Sequence, residues 1–230
     1  MTVSVALAAY NGEKYIAEQI GSILPQLSED DEIVVSLDPS TDNTEQVLFS
    51  IPDNRIRVVS GEGKGLIRNF ENAIRNTKNE LIFLCDQDDI WLPNKVERVK
   101  AEFEADEKLL LVMHDARVTD AELNTLNKSF FEVRRTNTGI LKNIIKNSYM
   151  GCCMALKREA LEHILRFPDK LPMHDQWIGL ICEKHGKVKL INEPLILWRR
   201  HGDNSSKMQH ESVSQMIRWR MNIIRAYIKG

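Results

Sequence analysis

Short runs of mostly apolar residues that stop abruptly at polar turns recur five times in the first 115 residues. They are Val3–Ala9, Glu32–Leu37, Arg55–Ser60, Leu81–Cys85 and Lys108–His114. Runs this short and continuous predict strands buried on both faces. Helical spacing fills the gaps. Tyr15, Ile16, Ile20, Ile23, Leu24 and Leu27 recur with a helical period that ends near Pro25. A second helix starts after the turn Pro39–Glu45, and a third runs to about Asn76. Pro93 suits the first turn of a fourth, whose Val96, Val99 and Phe103 share one face. Alternation of this kind implies a mostly parallel sheet with helices on both faces, an α/β fold.

The fourth run ends in the densest chemistry of the chain. Leu81-Ile82-Phe83-Leu84-Cys85 leads straight into Asp86-Gln87-Asp88-Asp89, and Ile90-Trp91 closes the cluster. Open α/β sheets place their ligands at the carboxyl ends of their strands. Carboxylates crowded together repel one another unless a cation neutralises them. A divalent-metal site is therefore expected here, in preference to a solvated acidic turn.

Other strand ends are quieter. Tyr10 and Asn11 follow the first strand and are expected to line a nucleotide pocket, although an ordinary turn has the same composition. Asp42 and Glu45 have the spacing of a helix cap. Asp38 ends the second strand, where a carboxylate can accept the N–H of a base; position alone leaves a structural role equally open. Gly61-Glu62-Gly63-Lys64-Gly65 looks like a dinucleotide fingerprint but has leucine at position 66, so the pattern fails. A glycine-rich loop with Lys64 and Arg68 at a helix start still suits phosphate.

The net charge of −2 gives no field for nucleic acid, but its distribution is uneven. Residues 1–60 carry three basic and ten acidic side chains, whereas residues 197–230 carry seven basic and two acidic ones. The four cysteines show no C-x-x-C spacing, which predicts free thiols in a reducing compartment. With no signal-peptide layout and no apolar run of membrane-spanning length, the expected location is cytoplasmic, with peripheral contact to the inner face of the plasma membrane open.

Beyond residue 115 the alternation stops. Residues 117–150 read as polar and irregular, with an apolar patch at Ile140–Ile145. A strand-like stretch Gly151–Leu156, a helix from Met173 to about His185, strands Lys187–Ile191 and Leu195–Arg199, and a polar loop Arg200–Ser206 follow. The expected organisation is one domain, 1–230. Its expected boundaries are 1–115, 116–211, which would build an acceptor side, and 212–230, an amphipathic helix.

Several of these stretches, in order, resemble inverting glycosyltransferases of family 2, which have the GT-A fold, and most nearly their rhamnosyltransferase-like branch. They are Ala9–Gly12, Leu37–Thr44, Gly65 with Arg68-Asn69-Phe70, Leu84–Trp91, Asn147–Cys152, His174–Trp177 and Arg200–Asn204. The resemblance implies transfer of a sugar from a nucleotide-diphosphate donor, dTDP-rhamnose or a UDP-sugar, to a saccharide or lipid-linked acceptor. Surface polysaccharide synthesis is the implied setting. Asp175 would be the general base. Ala9, Tyr10, Asn11, Asp38, Gly65, Arg68, Asn69, Asp86, Gln87 and Asp89 would bind the nucleotide-sugar. Asp88, Asp86 and His201 would hold Mg²⁺ or Mn²⁺, with Asp88 in direct contact. Leu37-Asp38-Pro39 departs from the family's turn, which often has two adjacent acids, and this leaves the base preference open. A sugar nucleotidyltransferase or an inactive sugar-binding module are the alternatives. The former normally needs a glycine-rich N-terminal loop where this chain has Ala9–Gly12. The tail, Ser212–Ile228, interleaves apolar residues with Arg218, Arg220 and Arg225, and reads either as a helix packed on the domain or as one lying on anionic lipid.

Overall fold

The computed structural model describes residues 1–202 and 212–229. Asp203 and Asn204, which end the loop motif, lie outside them.

The five apolar runs form strands where expected. β1 (Val3–Ala9) is buried along its whole length and lies between β2 (Glu32–Leu37) and β4 (Leu81–Asp86), both parallel to it. β3 (Ile56–Ser60) adds in parallel outside β2. Helices α1 (Ile16–Ile23), α2 (Thr44–Phe49) and α3 (Leu66–Arg75) make the connections. Ile16, Ile20 and Ile23 of α1 are buried, as are Phe70, Ala73 and Ile74 of α3. Asp42 is structural but does not form the expected capping pair with Glu45: Asn43 is the N-cap of α2 and makes no side-chain cap bond, while the Asp42 carboxylate accepts the N–H groups of Thr44 (3.0 Å) and Glu13 (3.0 Å).

The second half departs from the expectation in detail. After β5 (Ile90–Trp91) and α4 (Lys95–Ala105), β6 runs from Leu109 to Thr119, five residues beyond the predicted end. The short β7 (Thr125–Asn127), α5 (Phe130–Arg134) and α6 (Ile140–Ile145) occupy the stretch read as irregular. Gly151–Cys153 is a 3₁₀ turn, and only Met154–Lys157 is strand, β8. β8 inserts antiparallel between β4 and β6. α7 (Leu161–Ile164) and α8 (His174–His185) lead to β9, one unbroken strand Lys187–Arg199 where two were expected. Its pairing with β6 shifts register around His114 and Asp115, which carries it past Pro194 without a break. The order is β3-β2-β1-β4-β8-β6-β9-β5, with β7 on β6. β1–β4, β6 and β9 all point one way, so the sheet is mostly parallel. α9 (Val213–Lys229) packs against α6 and α8.

Candidate active site

The carboxyl ends of β1, β2 and β4 are tied side by side. The Ala9 carbonyl accepts the Asp38 N–H (2.9 Å) and the Asn69 amide (3.0 Å), joining β1, β2 and α3. Tyr10 is exposed, and the Gln87 amide clasps its N–H and its C=O, both at 2.8 Å. Gly12 makes room for this clasp, because a Cβ there would overlap the Gln87 amide. Asn11 is left-handed (φ 48°) and its side chain accepts the Thr41 N–H at 2.8 Å. Asp38 is buried and its Oδ1 accepts the Gly63 N–H at 3.0 Å, which anchors the glycine loop beneath it.

Gly65 (φ 84°) has open space around its α-carbon and immediately precedes α3. Arg68, one turn on, is bound to Glu71, to Asp169 (2.5 Å) and to the Phe167 carbonyl (2.8 Å). Lys64 pairs with Glu62 at 2.6 Å. Each of the two cations expected at phosphate thus has an acidic partner within the chain.

Three acids leave β4 in different directions. Asp86 ends the strand opposite Ala8. Burial pushes its carboxyl up to about 7, and the neighbouring Asp88 adds to this. His201, in the tautomer that carries its proton on Nε2, donates to Asp88 Oδ2 at 2.9 Å. The His201 ring lies 4.7 Å from that of Tyr15. Asp89 turns inward, where its Oδ1 accepts the Arg199 N–H at 3.1 Å. Its Oδ2 is buried without a hydrogen-bond partner among the described residues. Burial and then Asp88 hold its pKa well above the ordinary value. Ligand-type atoms of Asp86, Asp89 and Cys152 lie within 4.8 Å of one another. Asp88 and His201, both expected to hold the metal, lie side by side next to this group.

Asp175 faces this cluster from the first turn of α8 and is among the charges acting on Asp86. Its Oδ1 accepts the Asn147 amide (3.1 Å) and the Gln176 N–H (2.5 Å), and burial pushes its carboxyl up to about 6. Beside it His174 stacks on Phe70, with ring centroids 4.1 Å apart, and burial lowers its pKa to about 3. Trp177 donates its indole N–H to the Ile164 carbonyl (3.0 Å) and serves packing.

A family model described as glycosyl transferase family 2 matches residues 4–165, most of the chain. The chain belongs to that family. This family 2 chain is 25% identical to an uncharacterised glycosyltransferase of Nostoc sp., over 94% of its own length and 70% of the relative's. It is 24% identical to the glycosyltransferase GlyG of Streptococcus pneumoniae, covering 99% and 78%. Two Rickettsia relatives are much longer, and the chain spans 35% of each. Among solved structures, S. aureus TarS in complex with UDP-GlcNAc superposes with a TM-score of 0.74 at 18% identity, covering 99% of this chain and 65% of that one. Glucosyl-3-phosphoglycerate synthase from Mycobacterium tuberculosis, with Mn²⁺ and UDP, gives 0.61 at 19% identity, covering 99% and 78%. These are GT-A folds, and the glycosyltransferase shares theirs.

Three residues at the site of this glycosyltransferase carried no role in the sequence reading. Cys152 arrives through the 3₁₀ turn before β8, and Asn147 through the loop after α6. Both lie in the Asn147–Cys152 motif, which was the available signal. Lys95 is wholly buried, its Nζ donating to the Cys152 carbonyl (3.2 Å) and lying 3.9 Å over the Trp91 ring. Its charge acts on Asp86 and interacts with that of Asp89. Its spacing on α4 gave no hint of this, because a lysine is ordinarily read as solvated.

Proposed function

We propose that the chain is an inverting, divalent-cation-dependent hexosyltransferase, moving a sugar from a nucleoside-diphosphate donor to a hydroxyl of a saccharide or lipid-linked acceptor in surface polysaccharide assembly. The observation that carries this reading is Asp175, buried in the first turn of α8 and facing Asp86 across the carboxyl edge of the sheet in a family 2 chain. Asp38, Ala9, Tyr10, Asn11, Gly65, Asn69 and Gln87 form the nucleotide side. Arg68 serves that side indirectly, by fixing α3 against the Phe167–Asp169 turn.

Above pH about 6 the Asp175 carboxylate is free to accept the proton of the acceptor hydroxyl. The hydroxyl oxygen forms its bond to the anomeric carbon on the face opposite the diphosphate. The carbon–oxygen bond to the diphosphate breaks with its electron pair, and configuration inverts. Asn147 and the Gln176 N–H hold the carboxylate oriented throughout.

Asp86 and Asp89 fit a divalent cation: the half-buried Asp86 carboxylate and the buried Asp89 carboxylate converge, and Asp89 Oδ2 has no hydrogen-bond partner among the described residues. Cys152 keeps its proton, because its hydrogen bond with Cys153 and its burial raise its pKa, so the carboxylates would be the ligands. Asp88 and His201 would line the outer side. Oxygen donors suit Mg²⁺ or Mn²⁺, and a cation bound there stabilises charge on the departing diphosphate.

Between the two donors, a UDP-sugar is favoured over dTDP-rhamnose. TarS and the mycobacterial synthase were solved with UDP or a UDP-sugar, and a matched E. coli relative, 34% identical over 96 residues, is a UDP-Glc transferase acting on a diphosphoundecaprenol-linked GlcNAc. The four cysteines are free and buried, which supports a reducing, cytoplasmic setting. The division into 1–115, 116–211 and 212–230 belongs to the same reading. Thermal-shift screening of nucleotide-sugars with and without Mn²⁺ tests it: a UDP-sugar should raise Tm only with the cation. No stabilisation by any nucleotide-sugar would refute the donor assignment.

A further inference from the structure

α9 is apolar on two opposite faces, and only one of them packs on the protein. Ile223 and Ala226 are buried against the body of the molecule, Arg220 donates to the Ile145 carbonyl at 3.0 Å, and Lys184 Nζ lies 5.1 Å over the Tyr227 ring. Ile217, Met221, Ile224 and Ile228 follow i, i+4, i+7, i+11 spacing, which places them in one stripe on the far side of the helix. They are 39–74% exposed, and Leu141 and Ile145 of the adjoining α6 are exposed at 76% and 63%.

We infer that this two-helix face lies on an anionic lipid surface. Exposed Arg218 and Arg225 flank the α9 stripe, exposed Lys142 lies on α6, and exposed Lys146 directly follows it. Neither helix contains an Asp or Glu. A second copy of the chain would therefore bring the same cations and no acid to meet them, whereas anionic headgroups complement an apolar stripe edged with arginine. No helix among the described residues is long and apolar enough to cross a membrane, so the helix lies along the surface. α6 leads directly into Asn147, whose amide holds Asp175. The docking face thus adjoins the acceptor side of the cleft. The inference deepens the proposed function by naming the membrane as the place where a lipid-linked acceptor is met; the binding itself needs no turnover, so either reading can fail alone.

Co-sedimentation of the full chain with vesicles of phosphatidylcholine, with and without phosphatidylglycerol, tests it. The wild-type chain should pellet with the anionic vesicles. Met221→Gln with Ile224→Gln should lower partitioning on the order of tenfold. Arg218→Gln with Arg225→Gln should lower it by a similar factor, on anionic vesicles only. Unchanged far-UV circular dichroism and an unchanged cooperative melting transition would verify that both variants fold. Wild-type protein remaining in the supernatant, or variants pelleting as it does, overturns the inference. So does a dimer that dissociates in the Met221→Gln/Ile224→Gln variant without vesicle binding, since a second copy would then cover the stripe.

Discussion

A carboxyl group walled off from water keeps its proton to a higher pH than one on the surface, and Asp175 is walled off. With its pKa near 6, transfer should increase with pH through that value and then level off, because only the ionised form accepts a proton. Asp175→Asn preserves the shape and cannot take the proton, so turnover should fall roughly 10²–10⁴-fold while UDP binding holds. Initial rates and calorimetric UDP titration measure the two effects separately, and full activity in this variant would remove Asp175 from the mechanism. Asp38 offers a steric test. A Cβ at Gly61 would overlap Asp38 Oδ1 and crowd its backbone, which cannot yield as a flexible side chain would. Gly61→Ala is therefore expected to destabilise the fold by about 1–3 kcal/mol and to weaken nucleotide binding, by denaturant melts and equilibrium titration. Individual residues of this kind were legible in the sequence when they ended an apolar run, as Asp38 and Asp86 do. Cys152 and Lys95 were not, because pairing across the sheet brings them to the acids and no local spacing encodes that pairing.

Elements were legible to the extent that their hydrophobic pattern was one-sided. β1, β2 and β4 are buried along nearly all their length, so their sequences are continuous apolar runs with sharp ends. β8 has only four residues and borrows its order from β4 and β6 on either side, so its preceding 3₁₀ turn was read as strand. β9 looked like two strands because Asn192–Pro194 interrupts the pattern, yet the register shift against β6 absorbs the interruption. α8 shows how an element passes an effect to the site. At Gly179 a Cβ would overlap the Tyr149 ring, whose hydroxyl bonds Glu183 and whose neighbour Asn147 orients Asp175. Gly179→Ala should displace Tyr149, cost about 1–3 kcal/mol and lower kcat more than it raises the donor KM. A donor-KM effect with unchanged kcat would show that Tyr149 does not position the base.

Across the whole molecule the acids at the sheet edge couple stability to pH and to cations. The ordinary carboxyl value is near 3.8, whereas Asp175 and Asp86 titrate near 6 and 7 in the folded chain. Between pH about 4 and 7 the folded state therefore keeps protons that the unfolded chain has released, so stability from these groups falls as pH rises through that window. The cation-free protein should melt higher at pH 5 than at pH 7.5, and Mn²⁺ should raise Tm more at pH 7.5, where the acids are ionised. Equal Mn²⁺ shifts at both values by calorimetry would place the cation elsewhere. The fold class was readable from strand–helix alternation alone; the meeting of Asp175 with the β4 acids was not, because it depends on how the second half closes over the first. That closure has a consequence for redesign. α8 carries Asp175 in its first turn and β9 ends at Arg199, and the two join at the single turn residue Gly186. The proton acceptor and the clamp on Asp89 thus sit at the two tips of one hairpin. Transplanting acceptor preference from another enzyme would require exchanging Met173–His201 as a block, because a graft of either arm alone would misalign the other tip.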